Sequence, residues 1–403
     1  MTASAAFRIV ARKPRLVTSR PAVLLGGLLA RSGLLHAYTV WPSAMTPILI
    51  LGASDSAAAR WMNRTFQLDP ERRLGTDAAT WNVLRASALV IGKDPPHVRP
   101  AVERALGRPL MAPRVAFYGT GGTHPKLHCF VFEGRAAEPL VVVKVMALPG
   151  ESGHLERETA NVELARQRLD GAGDVADALP VKPLWAGQCQ GDFVVVEPVD
   201  PLAIHTGNAE RDTAMRWLRG FAAGTAEGER PWSGADDDEL VAMVADTWER
   251  SGSPRRNEVL ARVRELGGAL RGVPVSRCAV HGDFWRGNLA AGGPAIRVYD
   301  WEWLQLDGQP FFDVWTFELG ELRHAADRGE HDFAEPLAQG LERVKAELER
   351  RGLDPGFALL TLAPTLGRLT FRVRSEMGYE GGNEEASARV MASAEELLLG
   401  RAA

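Results

Sequence analysis

The segment AVHGDFWRGNLAAGGPAIRVYDWEW, from Ala279 to Trp303, places charged and amide side chains among apolar and aromatic residues. Its order predicts a short strand, a loop and then a hairpin in which residues 290–293 turn and residues 295–300 return. Such a hairpin would bring Asp300 back beside Asn288. Because polar groups in an apolar setting need partners, this segment constrains the fold more strongly than any other.

The polar side chains of this segment are of the types that bind a metal ion and accept a proton. Asn288 and Asp300 offer an amide oxygen and a carboxylate, which are hard oxygen ligands suited to Mg²⁺ when phosphate groups complete its shell. Asp283 precedes Asn288 by five residues and would stay outside that shell, where it could accept a proton from a substrate hydroxyl. A bound cation and phosphate would account for the polarity.

Lys144 is a second charge in an apolar setting, because it follows Val141, Val142 and Val143. If the strand is covered, its ammonium needs a partner. Glu158 is the only charged residue on the apolar stripe of the helix predicted over 153–169, so it is the predicted partner. The alternative is an edge strand from which the lysine stem reaches outward to water.

A glycine-rich tip at 120–125 joins the strands predicted at 114–119 and 126–134. Gly119, Gly121 and Gly122 free the backbone to approach a ligand closely, and consecutive N–H groups can cradle phosphate oxygens. The same pattern also fits an ordinary turn. The turn LGASDS at 51–56 likewise admits a phosphate-binding or a purely structural interpretation.

The motifs HGDFWRGN and VYDWEW resemble the HGDxxxxN and xDxE motifs of the aminoglycoside phosphotransferase and choline kinase group. The glycine-rich hairpin, VVVK, the helix glutamate and EPV precede them in the same order, and the resemblance covers roughly 111–320. It implies an α+β, bilobal protein-kinase-like fold with a β-rich N-lobe and a helical C-lobe. The predicted domains are an N-terminal α/β unit of unknown role at 1–110, the N-lobe at 111–200 and the C-lobe at 201–403.

The resemblance also implies a role for each matching residue. Asp283 would be the catalytic base, and Asn288 and Asp300 the Mg²⁺ ligands. Lys144, oriented by Glu158, would hold the α and β phosphates of ATP. The backbone of Glu197 and Val199 would bind the edge of the adenine, and Gly119, Gly121 and Gly122 would cover the phosphates. His281 would brace the catalytic loop, and Asp313 would have a structural role. Glu302 would either tune the metal site or form a structural pair.

Two residues depart from the His-Pro pair that the family often has. Trp285 is open to interpretation as a packing residue or as a platform for substrate. Arg286 could stabilise charge on the transferring phosphate or pair with an acid of the loop. Gly308 and Asp313 follow Asp300 too closely for an activation loop, which disfavours a protein substrate.

The predicted function is ATP- and Mg²⁺-dependent transfer of the γ-phosphoryl group to a hydroxyl of a small molecule, such as an aminoglycoside, an amino alcohol or a sugar. The alternative is a kinase-fold nucleotide-binding protein without turnover that acts through its N-terminal unit. A cationic acceptor would suit a group of acidic residues, namely Glu318, Glu321, Asp327, Glu330 and Asp332. Arg323, His324 and Arg328 interleave with them, which is also typical of a solvated helix.

Composition limits the partners and the compartment. The net charge of −4 gives no broad basic field for nucleic acid. Three widely separated cysteines argue against a disulfide framework and favour a reducing compartment. The apolar run at 22–30 follows a basic N-terminus but ends at Arg31 and is too short to span a bilayer. We predict a cytoplasmic protein without stable membrane insertion; export or membrane contact is the alternative, and the oligomeric state is open.

Local patterns predict further elements. Strands are expected at 46–52 and 87–92, and helices at 54–66 and 95–107. Either Ser54 or Asp55 is expected to cap the first of these helices. The acidic run DDDE at 236–239 is expected to be the solvated start of a helix, where the helix dipole favours negative charge.

Overall fold

The computed structural model describes most of the chain, as two compact units. The first comprises Met1–Thr159 and Val181–Ile204, and the second Ala160–Pro180 and His205–Ala403. In the described part of the chain, no helix combines the length and apolar character needed to cross a membrane. The described residues are 12–17, 37–42, 47–52, 55–65, 88–93, 97–119, 126–146, 152–200, 209–251, 253–292, 295–327, 332–377 and 384–400.

A nine-stranded antiparallel sheet, counted over the described residues, forms the first unit. In chain order, β1 to β9 are Arg12–Val17, Ala37–Pro42, Pro47–Gly52, Ala88–Lys93, Pro113–Gly119, Lys126–Glu133, Val141–Met146, Trp185–Cys189 and Asp192–Pro198. The helices are α1 Ser56–Thr65, α2 Val98–Leu106 and α3 Ser152–Arg168, the last of which passes the unit boundary at residue 159. The order in the sheet is β1-β4-β2-β3-β5-β6-β7-β9-β8.

The structure does not divide the chain at residue 110, where the sequence predicted a domain boundary. Strand β3 pairs with β5 through Leu49↔Tyr118 and Leu51↔Ala116, so the early strands continue the later sheet. The strands and helices predicted before residue 110 are confirmed as elements. Their membership of one sheet depends on long-range hydrogen bonding that local patterns do not encode. The second unit also takes residues 160–180, which the prediction assigned to the N-lobe.

Alternation along the strands places different side chains on the two faces of the sheet. One face packs on α2 through a cluster that includes Val115, Phe117, Val143 and Val196. The opposite face carries Phe130, Phe132 and Val142, which pack against Trp61 of α1. Asp55, one of the two residues predicted to cap α1, does so, since its Oδ1 accepts the Ala58 N–H at 2.9 Å.

The second unit is mostly helical, with a few short strands. Its core includes stacked and edge-on rings of Trp217, Phe221, Phe284 and Trp301. The helices are α4 Asp174–Asp177, α5 Arg211–Thr225, α6 Gly234–Ser251, α7 Arg256–Ala269, α8 Phe312–Asp327, α9 Ala334–Arg350, α10 Gly356–Met377 and α11 Glu384–Leu398. The strands are β10 Glu229–Pro231, β11 Pro274–Ser276, β12 Cys278–Val280, β13 Leu289–Gly292, β14 Ala295–Val298 and β15 Gln305–Gly308, with 3₁₀ turns at Arg286–Asn288 and Trp301–Trp303.

The acidic run at 236–239 does begin a helix, but it is only partly solvated. Asp236 and Asp237 are buried, whereas the next two residues are exposed. Asp236 pairs with Arg230 and Arg277, and Asp237 accepts hydrogen bonds from Trp232 Nε1 at 2.7 Å and Arg271 Nε at 3.1 Å. The expectation of a solvated start therefore holds for Asp238 and Glu239 but not for the two residues before them, whose carboxylates pair with arginines outside the run.

Two adjacent glycines near the end of α7 allow a matched test of packing around Asp237. A Cβ at Gly267 would lie 2.1 Å from Asp237 Oδ1, whereas one at Gly268 would meet nothing within 4 Å. Since Trp232 and Arg271 hold Asp237 in place, we expect Gly267→Ala to lower the free energy of unfolding by about 1–3 kcal/mol. Gly268→Ala should raise it by about 0.5–1 kcal/mol through helix propensity. Denaturant titration checks both, and equal effects would contradict the contact.

A buried histidine at the start of α2 predicts sensitivity to acid. Burial lowers the pKa of His97 from its usual value of 6.5 to about 4. The unfolded chain therefore takes up the proton first, and stability that is full above pH 6.5 is lost as the pH falls toward 4. We expect His97→Leu to lose about 2 kcal/mol less of its free energy of unfolding between pH 7 and pH 5 than the parent protein. Denaturant titrations at both pH values provide the measurement, and identical losses would argue against it.

Candidate active site

Asp313 of α8 holds the loop that carries Asp283. It is buried, and its two carboxylate oxygens accept the backbone N–H groups of His281 at 2.6 Å and Gly282 at 2.9 Å. Gly282 has a φ of +84°, in the left-handed region that favours glycine. The loop shape therefore depends on one glycine and on one carboxylate from a helix that follows it in the chain.

His281 is fully buried beneath the same loop and links its two ends. Its Nε2 lies 3.0 Å from the carbonyl oxygen of Tyr299, and its Nδ1 accepts the backbone N–H of Asp283 at 3.2 Å. Since a carbonyl can only accept, this pattern fits a neutral imidazole with its proton on Nε2. His281 thus joins Asp283 to the residue that precedes Asp300.

Asn288 makes direct contact with Asp283. Its Nδ2 donates to the backbone carbonyl of Asp283 at 2.9 Å and to Asp283 Oδ2 at 2.8 Å. The predicted hairpin is confirmed, with Leu289 opposite Val298, but residues 290–292, which were predicted to turn, belong to strand β13. The Tyr299 N–H donates to the Asn288 carbonyl at 2.9 Å, which brings the backbone before Asp300 next to Asn288.

The donor set in this hairpin fits Mg²⁺ bound with phosphate. Because the amide nitrogen of Asn288 is committed to Asp283, its amide oxygen is the atom left to serve a cation. Asp300, two residues after Val298, adds a carboxylate. Over the described residues, no group of three or more His, Cys, Asp or Glu side chains could hold a metal ion. An amide and a carboxylate therefore suit Mg²⁺ only with phosphate or water oxygens completing the shell.

Trp285 and Arg286 both turn toward α8. A Cβ at Gly320 would lie 2.7 Å from the Trp285 Cβ, and one at Gly287 would lie 2.2 Å from its indole, so Trp285 packs closely on these two glycines. Arg286 Nε lies 3.0 Å from Glu321 Oε1. The acid that pairs with Arg286 thus comes from α8 rather than from the loop itself.

Lys144 lies in a buried cluster of charges on the sheet of the first unit. Its Nζ is 2.9 Å from Glu197 Oε2 and 4.0 Å from Glu158 Oε1, while Lys126 Nζ is 2.9 Å from Glu158 Oε2. Strand β7 lies between β6 and β9, so the edge-strand alternative for Lys144 is wrong. Glu158 is near, as predicted, but Glu197 is the closer partner.

The cluster keeps its lysine and its helix glutamate ionised. Burial lowers the pKa of Lys144, but Glu197 and Glu158 outweigh it and raise the pKa above its usual value. Burial also acts to raise the pKa of Glu158, yet Lys126 and Lys144 together lower it to about 2. For Glu197, burial prevails over Lys144 and raises the pKa. The cluster therefore presents a charged ammonium within a mostly apolar sheet.

His128 is a member of this cluster that the sequence analysis missed. It lies opposite Lys144 in the β6–β7 register. Burial, together with the charge of Lys144, lowers the pKa of His128 to about 3, so the imidazole is neutral near pH 7. Part of the signal for His128 was available in the sequence, because Lys126 and His128 are two positions apart on one strand and so lie on the same face. The pairing of His128 with Lys144 across strands could not be predicted from the sequence.

The remaining predicted nucleotide contacts are only partly within the described residues. Gly119 ends β5, and Gly121 and Gly122 lie outside the described part of the chain. Glu197 pairs with Val142 in the sheet, and Val199, one residue past the strand, packs on the cluster around Trp61. Glu302 lies half-buried in the 3₁₀ turn Trp301–Trp303.

Several solved structures of phosphotransferases are similar to this chain. A thermostable mutant of aminoglycoside phosphotransferase APH(4)-Ia, in a ternary complex with ADP and hygromycin B, is 13% identical; the alignment covers 76% of this chain and 99% of that one, with a TM-score of 0.46. Spectinomycin phosphotransferase APH(9)-Ia, in complex with ADP and spectinomycin, is 12% identical; the alignment covers 71% of this chain and 92% of that one, with a TM-score of 0.41. Glucosamine kinase, in complex with glucosamine, ADP and inorganic phosphate, is 19% identical; the alignment covers 70% of this chain and 78% of that one, with a TM-score of 0.35.

No protein-family profile matches the chain, and no curated protein matches it. The structural neighbours are small-molecule phosphotransferases at low sequence identity. The functional assignment of this chain therefore depends on its own residues.

Proposed function

We propose that the chain is an ATP- and Mg²⁺-dependent phosphotransferase of protein-kinase-like fold that moves the γ-phosphoryl group to a hydroxyl of a small molecule. The observation that carries this proposal is the contact between Asn288 and Asp283, in a loop that the buried side chains of His281 and Asp313 hold. This contact supports the proposal, because it joins a carboxylate suited to proton transfer to an amide side chain whose oxygen would suit a hard cation.

Residues with a proposed role occur in both units. In the second unit, Asn288 and Asp300 would bind Mg²⁺, which when present neutralises charge on the phosphates. In the first unit, Lys144 is kept ionised by Glu197 and Glu158 and would bind the α and β phosphates. Gly119, Gly121 and Gly122 would cover the phosphates, and the backbone of Glu197 and Val199 would bind the adenine. Glu302 would lie near the metal ion.

Asp283 would act as the general base. The Asn288 N–H group fixes the orientation of its carboxylate, and the bond from the Asp283 N–H to His281 fixes its backbone. In this position Asp283 would take the proton of the acceptor hydroxyl as that oxygen attacks the γ-phosphorus and the bond to the β-phosphate oxygen breaks. Most of the rate enhancement would come from positioning and electrostatics.

The charges on α8 do not single out a cationic acceptor. Glu318 is buried between Arg211 at 2.7 Å and Arg343 at 2.9 Å, and Glu321 pairs with Arg286. Asp332 is exposed, while the side chain of Asp327 and all of Glu330 lie outside what the structure describes. Aminoglycosides, amino alcohols and monosaccharides are therefore all candidates for the acceptor. A cytoplasmic location and the lack of a nucleic-acid partner stay predictions from composition.

A screen of acceptor alcohols tests the proposal directly. We expect one class to stimulate ADP release from ATP in a coupled assay, with loss of the signal when EDTA removes Mg²⁺. Lys144→Met should reduce turnover by about 10²-fold or more, whereas the matched control Lys182→Ala, at an exposed lysine of the same unit, should not. Circular dichroism checks that both variants fold. ATP binding without ADP release across the panel would instead favour a nucleotide-binding protein without turnover.

A further inference from the structure

The backbone on both sides of Asp300 is held by side chains from elsewhere in the second unit. Before Asp300, the Tyr299 carbonyl accepts a hydrogen bond from His281 Nε2 at 3.0 Å. After it, the Trp301 carbonyl accepts one from Asn161 Nδ2 at 2.8 Å. The sequence motifs include His281, but nothing in them points to Asn161, which lies on α3 and is separated from Trp301 by 140 positions.

Asp300 has a backbone conformation that needs such support. Its φ of 66° and ψ of 60° lie in the left-handed region. Among the described non-glycine residues, only Ala112 and Gln190 also have a positive φ. A residue with a side chain is less stable there by about 1–2 kcal/mol, and the conformation persists when its surroundings fix it. The contacts that hold the peptide before Asp300 and the carbonyl of Trp301 after it therefore support this conformation.

Asn161 is well placed to fix the backbone of Trp301, the residue after Asp300. It lies next to Val162 on a helix whose buried residues Val162 and Ala165 pack into the core of the second unit. Its partner Trp301 is fully buried, with its indole N–H donating to the Val298 carbonyl at 2.8 Å. The donor and the acceptor both sit on packed elements, so their contact restricts rotation of the peptide that joins Trp301 to Glu302 and holds Trp301, the residue after Asp300, in place.

We propose that Asn161 is a positioning residue that sets the direction of the Asp300 carboxylate and thereby the affinity for Mg²⁺. This inference rests on the proposed function, because it takes Asp300 as a metal ligand. Groups that orient metal ligands change metal affinity by about 10- to 100-fold when removed. Asn161→Asp keeps the shape of the side chain, replaces the donor with an acceptor and places a negative charge against the Trp301 carbonyl.

The test is a calorimetric titration in which AMP-PNP is added to the protein, once in the presence of Mg²⁺ and once in the presence of EDTA. The parent protein should bind AMP-PNP more tightly with Mg²⁺. In Asn161→Asp this gain should fall about tenfold or more, while the affinity for metal-free AMP-PNP changes less than about twofold. Asn257→Asp, the same change at an exposed position of α7, is the matched control and should keep the full gain. If Asn161→Asp does not fold, Asn161→Ala takes its place in the same titration.

The outcomes separate this inference from the function beneath it. A full Mg²⁺-dependent gain in the Asn161 variant overturns the positioning role and leaves the proposed function standing. Equal losses with and without Mg²⁺ also overturn it, because they indicate a general structural effect. A parent protein that shows no Mg²⁺-dependent gain overturns the proposed function itself, and the role of Asn161 with it.

Discussion

Asp283→Asn is expected to reduce kcat by about 10²- to 10⁴-fold, the range by which general base catalysis typically contributes. The amide keeps the size of the carboxylate but cannot accept the proton of the acceptor hydroxyl. Because the backbone contacts of Asp283 with His281 and Asn288 do not involve its carboxylate, the loop should keep its shape. The affinity for ATP should therefore stay within about threefold of the parent value, as measured by calorimetry alongside steady-state ADP release.

Asp307→Asn provides the matched control for this change. Asp307 lies on β15, is well exposed and pairs with Arg277 at 3.5 Å. Its replacement should leave kcat within about twofold of the parent value, since exposed ion pairs contribute little. Turnover that persists in Asp283→Asn at the parent rate would remove Asp283 from the role of base, and a loss of ATP binding would point to a structural role.

Asp313→Ala is expected to lower the free energy of unfolding by about 2–5 kcal/mol. The substitution leaves two buried N–H groups, those of His281 and Gly282, without the carboxylate oxygens that accept them at 2.6 and 2.9 Å. Each buried donor left unpaired costs about 1–3 kcal/mol. Turnover should fall as well, because the loop that carries Asp283 loses its anchor.

Asp313→Asn offers a graded comparison at the same position. The amide retains one acceptor oxygen, so it should destabilise the protein less than alanine does. Denaturant titration monitored by tryptophan fluorescence gives the free energy of unfolding for both variants. Alanine and asparagine variants as stable as the parent protein would show that water or another group replaces the carboxylate.

Local patterns in the sequence predicted most of the elements that carry the site. The hairpin after Asn288 follows from the glycines that separate its two segments, although its turn comes later than residues 290–292. The Asp55 cap follows from a preference of helix ends. The proximity of Glu158 to Lys144 follows from helical spacing together with the requirement that a buried ammonium be paired. In each case, the relevant forces act within a few residues or through a strict chemical need.

What could not be predicted depends on which elements become neighbours in space. Glu197 meets Lys144 only because β9 pairs with β7, and Glu321 meets Arg286 only because α8 packs beside the loop. Asp236 is neutralised by Arg277, which follows it by 41 positions. Such contacts are set by sheet register and helix packing, for which a single sequence carries no local signal.

The pairing of β3 with β5 has a consequence for any shortened form of the protein. A chain that began after residue 110 would leave one side of β5 with its backbone N–H and C=O groups unpaired. Exposed strand edges of this kind recruit other chains and favour aggregation. The early strands thus cover the edge of β5 in the sheet that carries Lys144, and a shortened protein should keep them to avoid self-association.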